Sequence, residues 1–178
     1  MNMLKLLTRL LKHRWLDRGD TLRAIPNDMA ERLAQRVTAS EARHTGEIRL
    51  CVEAALPPSY VWRSGSPDTL PALVRERALS WFGRLGVWDT EHNNGVLIYL
   101  LLGEQAIEIV ADRALTQRVD HEQWQAMVNR LGDRLFKGDF EDGLTDALEE
   151  VSALLVAHFP LEAGTLRPNE LNNAVVRA

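Results

Sequence analysis

The sequence predicts an α/β domain, and three features of its hydrophobic pattern carry the prediction. Residues 96–102 are an uninterrupted apolar run behind a glycine, which is typical of a central strand buried on both faces. Residues 47–54 and 106–110 are β-prone segments bounded by turn residues, and both predict further strands. Amphipathic helical stripes lie between and after these strands. Residues 25–160 are therefore expected to form one domain, which a chain of 178 residues can support with a sizeable core.

A basic amphipathic arm, residues 1–24, precedes this domain. Its six Lys and Arg and two Asp residues give a net charge of +4, so the rest of the chain carries −8 within a total of −4. Residues 3–15 have helical periodicity, with Leu4, Leu7 and Leu11 on one face and basic residues on much of the remainder. Such a helix suits a protein partner or an anionic membrane surface, and it can equally pack against its own domain.

Apolar segments and cysteine content bear on location. No stretch of the sequence approaches the length of a transmembrane helix, and the first residues do not resemble a cleavable signal peptide. Cys51 is the single cysteine, so an intramolecular disulfide is excluded, and its apolar neighbours predict a small buried side chain rather than a nucleophile. We therefore expect a cytoplasmic protein whose arm allows peripheral contact with a membrane.

Local signals also place the first helix of the domain and the loop that follows the first strand. Asn27 is the predicted N-cap of a helix that continues to residue 42, and Gly46 separates this helix from the strand. Residues 56–68 contain three prolines and predict a long loop.

Three further amphipathic helices follow along the chain. Asp68 or Thr69 is expected to cap the first, over residues 69–85, and Asp120 starts the second with Gln123 in a capping-box position. The other boundaries are a tight turn at 103–105, a glycine at 138 between the last two helices, a stop at Pro160 and an extended or partly ordered tail over 161–178.

The order of these elements predicts which loops meet. Strand 47–54, helix 69–85 and strand 96–102 form a βαβ unit, so the two strands are expected to run parallel. Their amino-terminal ends then share one edge of the sheet, and the hairpin returns the chain to the same edge. Three polar loops should therefore be neighbours, namely residues 44–47, 88–95 and 111–113.

This amino edge of the sheet is the leading candidate site. Its oxygen donors suit calcium or magnesium, and the candidate ligands are Asp89, Glu91, Asn93, Asn94 and Asp112. The spacing is not that of an EF-hand, because Asn94 stands where that loop requires glycine. A simple turn into the strand, with Asp89 capping backbone amides, explains the same residues without a metal. Further candidates at this edge are His44, Glu47, His92 and Arg113.

The opposite, carboxyl edge of the sheet is a competing site. In open α/β sheets ligands usually bind beyond the carboxyl ends of the strands. The long loop expected there carries Tyr60, Trp62, Arg63 and Asp68.

Several function classes find no support in the sequence. The net charge of −4 argues against nucleic acid as a partner. No motif links a histidine to a serine or cysteine nucleophile, and the glycines at 83 and 86 do not have the spacing of a phosphate-binding loop.

Five segments are informative when they are taken in order, namely Thr45-Gly46-Glu47, the helix end at 82–86, residues 89–95 followed by Val96-Leu97-Ile98, Ile107-Glu108-Ile109-Val110, and residues 136–144. Together they resemble the TPM-domain family over residues 41–159. Residues 88–99 and 107–113 are most similar to a small soluble bacterial branch of that family. The resemblance implies an α-β-α sandwich around a small mixed sheet, calcium binding at acidic loops, and the acid phosphatase activity proposed for plant members.

The chain departs from the family pattern after the second hairpin strand, where Ala111-Asp112-Arg113 replaces a glycine-rich turn. We therefore expect a non-catalytic binding or accessory domain that binds a divalent cation and acts through a protein or membrane partner by residues 3–15. The alternative is a metal-assisted phosphatase, in which Asp89, Glu91 and Asp112 hold the metal and Arg113 steadies the phosphate.

Overall fold

The computed structural model describes residues 3–63, 69–162 and 169–178, and over residues 3–7 it describes the helix alone. The helices are α1 Met3–Trp15, α2 Arg18–Ala24, α3 Asn27–Glu41, α4 Pro58–Arg63, α5 Leu70–Arg84, α6 Arg113–Thr116, α7 His121–Phe136 and α8 Phe140–His158. The strands are β1 Ile48–Glu53, β2 Val96–Leu101, β3 Ala106–Ala111 and β4 Val176–Arg177.

The strands form one mixed sheet in the order β3-β2-β1-β4. β1 and β2 are parallel, with Leu50 opposite Ile98, so the predicted βαβ unit is confirmed. β2 and β3 are antiparallel, and Gln105 turns the chain between them with a left-handed φ of 50°. The short strand β4 comes from the tail and pairs in parallel with β1.

Helices cover both faces of the sheet, which confirms the predicted α-β-α arrangement. Alternate residues of β1 point to opposite faces, because side chains alternate along a strand. Leu50 packs in the larger core with residues of α3, α7 and α8, whereas Cys51 packs in the smaller core with residues of α5. All six residues of β1 and all six of β2 are buried, as expected for central strands.

One prediction about the segment before α5 is wrong. Part of the predicted loop 56–68 is the helix α4, because Pro58 stands at the first helical position, where its fixed φ favours a helix. Thr69 is the N-cap residue of α5, as one of the two predicted alternatives had it, although its side chain makes no cap hydrogen bond. Asp68, the other predicted cap, lies outside the described residues.

The prediction that Asn27 caps α3 is also wrong. Pro26 is the N-cap residue, and Asn27 is the first residue of the helix. The Asn27 side chain instead accepts a hydrogen bond of 2.8 Å from Nη1 of Arg177 in the tail. This contact is between residues far apart in the chain, so no local signal could have revealed it.

Candidate functional site

The three polar loops of the amino edge do meet, as predicted from the order of the elements. Asn94 Nδ2 donates to Thr45 Oγ1 at 3.0 Å, which joins the loop before β2 to the loop before β1. The Asp112 amide donates to the Gly95 carbonyl at 2.9 Å, and the Ala114 amide donates to the Asn93 carbonyl at 3.0 Å. The segment after β3 is therefore held against the loop before β2 by two backbone hydrogen bonds.

Asn93 and Asn94 have different roles in this junction. Asn94 is fully buried, and its amide donates to Thr90 Oγ1 at 3.2 Å, so it is a structural link within the loop. Asn93 is exposed and has a left-handed φ of 51°, a conformation that asparagine tolerates better than most residues. The turn predicted as the metal-free explanation for these residues is thus present in the structure.

Asp112 is the most unusual residue of the edge. It is the N-cap of α6, and its Oδ1 accepts a 2.6 Å hydrogen bond from the Arg113 amide. Its Oδ2 is buried and has no hydrogen-bond partner in the described part of the chain. A buried carboxylate oxygen without a partner is costly, and such groups are uncommon in folded proteins.

The remaining acidic candidates lie further out. Asp89 and Glu91 are exposed, as are His92 and Arg113. Within the residues that the structure describes, no three His, Cys, Asp or Glu side chains are grouped closely enough to hold one ion. Any cation at this edge would therefore be held by Asp112 together with amide or backbone oxygens rather than by three carboxylates.

His44 and Glu47 are buried in the wall behind the loops. The His44 ring lies 2.9 Å from Ser40 Oγ and 3.1 Å from the Gly46 carbonyl oxygen, and both contacts hold it in place. Glu47 Oε1 accepts a 3.2 Å hydrogen bond from the Glu170 amide. His44 and Glu47 thus support the edge from inside the fold.

The tail contributes to this edge in a way that sequence reasoning missed. Glu170 Oε2 accepts a 3.0 Å hydrogen bond from the Glu91 amide, so the tail contacts the candidate loop directly. Asn173 Nδ2 donates to Glu41 Oε2 at 2.8 Å. No periodicity marks residues 169–173, so nothing in the local pattern predicted their position.

Arg49 is a second residue that the site search missed. Its side chain is buried on β1, and Nε and Nη1 have no hydrogen-bond partner among the described residues. Burial lowers the pKa of Arg49 from its usual value, and the negative charges of Glu41 and Glu47 oppose that change. The available signal was an arginine between apolar residues within a predicted strand.

At the carboxyl edge, the competing site, side chains of the domain contact one another. Glu53, at the end of β1, accepts hydrogen bonds from Arg77, from Trp81 Nε1 at 2.9 Å and from Tyr99 Oη at 2.7 Å. Tyr60 lies over the Arg77 guanidinium at 5.4 Å from its ring centroid. Tyr60 therefore packs against an ion pair, while Trp62 stays 66% exposed and Arg63 pairs with Glu76.

Helix α1 closes the same edge. Arg9 donates to Glu104 through Nε and Nη2, both at 2.6 Å, and His13 Nε2 lies 2.6 Å from Glu104 Oε1. The Leu56 amide donates to His13 Nδ1 at 3.0 Å. Among the alternatives open for the arm, packing against its own domain is therefore observed.

Acidification is expected to weaken this docking. Burial raises the pKa of Glu104, but hydrogen bonds from His13 and Arg9 and their charges outweigh burial and lower it from 4.5 to about 2. A lowered pKa in the folded state means that the carboxylate stabilises the fold above pH 4.5 and that this contribution is lost as the pH falls towards 2. The free energy of unfolding of wild type and Glu104→Gln, measured in urea, should differ by at most about 3 kcal/mol near neutral pH.

That difference should shrink as the pH falls from 4.5 towards 2. Glu149→Gln is the matched control, because Glu149 is exposed and its replacement should leave the pH profile of wild type unchanged. A wild-type advantage over Glu104→Gln that stayed constant across this range would contradict the assignment.

Comparison with known proteins shows which family the chain belongs to. The family model described as the TPM domain matches residues 19–154. The chain belongs to the TPM-domain family. The family match covers the whole sheet except β4, together with α2 to α7 and most of α8. The resemblance inferred from the loops and strands is therefore confirmed.

One solved structure is similar in fold. It is the NMR structure of the BA42 protein from the psychrophilic bacterium Bizionia argentinensis, with a TM-score of 0.68 and 23% sequence identity. The match covers 86% of this chain and 95% of the BA42 chain. No curated protein matches the sequence significantly. Among the described residues, none of the helices is long and apolar enough to span a membrane.

Proposed function

We propose that this TPM domain is a non-catalytic binding or accessory domain whose amino-edge loops hold a divalent cation, calcium or magnesium. One observation carries the proposal: Asp112 Oδ2 is buried without a hydrogen-bond partner among the described residues, in the segment that is hydrogen-bonded to the loop before β2. A divalent cation would satisfy this oxygen, because hard cations are bound by carboxylate, amide and carbonyl oxygens.

The residues around Asp112 fit such an ion. The exposed Asn93 is tied to this segment through its backbone, and Asp89 and Glu91 add negative charge on the outer part of the same loop. Asp112 and Asn93 are the residues that would hold the cation, with Asp89 and Glu91 contributing to its attraction, while the buried Asn94 positions the loop through Thr45. Bound in this way, a cation would rigidify the loop edge where the tail also attaches.

No specific observation favours the phosphatase alternative. Cys51, a possible nucleophile by residue type, is fully buried, and burial raises the pKa of its thiol far above the usual range. His44 is enclosed between Ser40 and Gly46. Arg113 is exposed and could meet an anion, but an exposed arginine by itself does not indicate turnover.

Thermal unfolding with calcium, with magnesium and with chelator tests the proposal. A cation that binds only the folded protein should stabilise it by about 2.7 kcal/mol at a hundredfold excess over its dissociation constant. Asp112→Asn should abolish this gain, yet asparagine should preserve the N-cap of α6. Asp133→Asn is the matched control, because Asp133 is exposed on α7 and its replacement should leave the cation response intact.

Two outcomes would contradict the proposal. Unfolding that does not respond to either cation would leave Asp112 as a helix cap only. Hydrolysis of a phosphomonoester that survives repurification and disappears in Asp112→Asn would assign the same loops to catalysis instead.

A further inference from the structure

Helix α1 packs on the domain through both polar and apolar residues, yet it leaves two large apolar side chains exposed. Arg9 and His13 both reach Glu104, the His13 side chain is buried, and Leu10 packs against the smaller core. Leu11 and Trp15, by contrast, are 54% and 81% exposed. An amphipathic helix usually packs its apolar residues on the core, so a leucine and a tryptophan exposed on one side of α1 are unusual.

The exposed side of α1 combines large apolar side chains with basic ones. Leu11 and Trp15 are four residues apart and therefore lie one above the other on the helix. Lys12 and Arg14 are also exposed and lie on either side of that pair. Leu11 belongs to the leucine stripe that the sequence predicted, and this member of the stripe is exposed.

Apolar surface continues beyond α1. Leu16, the residue after Trp15, lines a cleft of about 460 Å³ that also includes Phe136 at the end of α7. The Phe136 side chain is 88% exposed, and the next residue is the exposed Lys137. An aromatic side chain beside a basic one therefore occurs both on α1 and at the end of α7.

We infer that this face, made of Leu11 and Trp15 with the flanking Lys12 and Arg14, binds the surface of an anionic lipid bilayer. Tryptophan favours the membrane–water interface because its ring is apolar and its N–H is polar, and basic side chains are attracted to anionic headgroups. The charges match this occupant: residues 1–24 carry +4, while the rest of the chain carries −8. A negative surface would attract the arm, repel the body and so orient the domain.

This inference is independent of the proposed cation site. α1 covers the carboxyl edge of the sheet through Glu104 and Leu56, whereas Asp112 lies at the amino edge. A mutation that abolishes membrane binding by α1 should therefore leave cation binding unchanged, and a mutation that abolishes cation binding should leave membrane binding unchanged.

Co-sedimentation of the full chain with lipid vesicles tests the inference. Vesicles that contain phosphatidylglycerol should bind the protein, vesicles of phosphatidylcholine alone should bind it at least about tenfold more weakly, and added salt should weaken binding. Leu11→Ser with Trp15→Ser should reduce binding by about tenfold or more, because the inserted apolar area is lost. Lys12→Glu with Arg14→Glu should reduce it by a similar factor.

The matched control is Trp88→Ser, since Trp88 is 55% exposed but lies in the loop before β2 at the opposite edge. It should bind vesicles like wild type. Unfolding temperatures of all variants should equal that of wild type, because the replaced side chains are exposed. Wild-type binding that is equal on both vesicle types, or unchanged in the Leu11 and Trp15 variant, would overturn the inference. So would self-association of the protein that is lost in that variant without any binding to vesicles, because the face would then be an interface between copies.

Discussion

Replacement of Arg77 by alanine is expected to lower the free energy of unfolding by about 3–5 kcal/mol, because it leaves a buried carboxylate without its counter-charge. Arg77 and Glu53 are 7% and 4% exposed, and Arg77 Nε donates to both Glu53 oxygens, at 3.1 and 2.9 Å. The other donors to Glu53 are neutral, namely Trp81 Nε1 and the Tyr99 hydroxyl. They cannot replace the lost positive charge.

Urea unfolding of Arg77→Ala and of a matched control provides the measurement. Arg84→Ala is that control, because Arg84 is exposed and its guanidinium lies over the Trp81 ring at 5.5 Å from the centroid. Its replacement should cost less than about 1 kcal/mol. Glu53→Gln should also be strongly destabilising, since it leaves the Arg77 charge uncompensated. Equal costs for Arg77→Ala and Arg84→Ala would show that the buried pair does not stabilise the carboxyl edge.

The second large effect is expected at Gly95, the residue that joins the candidate loop to β2. A Cβ atom at this position would lie 2.0 Å from the Val87 carbonyl oxygen and 2.9 Å from Val87 Cγ1. Because the closest atom belongs to the backbone, the loop itself would have to move. Gly95→Ala should therefore lower the free energy of unfolding by about 3 kcal/mol or more, the upper end of the cost of overpacking.

Gly83→Ala is a control with the opposite expected sign. Gly83 lies within α5, and a Cβ there would have no atom within 4 Å. Alanine should raise the free energy of unfolding by up to about 1 kcal/mol through its higher helix propensity. If Gly95→Ala were as stable as Gly83→Ala, the close approach of Val87 to Gly95 would not exist in solution.

A Gly95→Ala variant that still folds also reports on the cation proposal. The backbone carbonyl of residue 95 accepts the hydrogen bond from the Asp112 amide, so a displaced loop would displace Asp112 as well. We expect its response to calcium or magnesium to fall along with its stability. The membrane-binding face of α1 should be unaffected, because it lies at the other edge of the sheet.

Secondary structure was largely predictable because its signals are local. The apolar run before Gly103, the stripes of α5, α7 and α8, and the capping pair Asp120 and Gln123 each depend on neighbouring residues, and each corresponds to an observed element. The amino edge was predictable for a different reason. A βαβ unit forces its strands to be parallel, and this alone brings the loops before β1 and β2 together.

The chemistry within that edge was only partly predictable. Its loops and oxygen donors followed from the sequence, but the positions of the donors did not. Asp112 has a buried oxygen, Asn94 is a buried link, and Asp89 and Glu91 are exposed. Burial depends on which elements pack over a residue, and this is a property of the tertiary structure.

The sequence by itself determined the α/β class, the family, the parallel pair β1 and β2 and the meeting of three polar loops, because periodicity, turn residues and chain connectivity are local or topological signals. Only the tertiary structure decided which way α1 faces, that Glu170 in the tail touches the candidate loop, and that Glu53 pairs with Arg77. The physical reason is that each of these depends on side chains brought together from distant segments. The orientation of α1 is the clearest case: the leucine stripe left its packing partner open, whereas the structure places Leu10 on the smaller core and Arg9 and His13 on the buried Glu104 carboxylate.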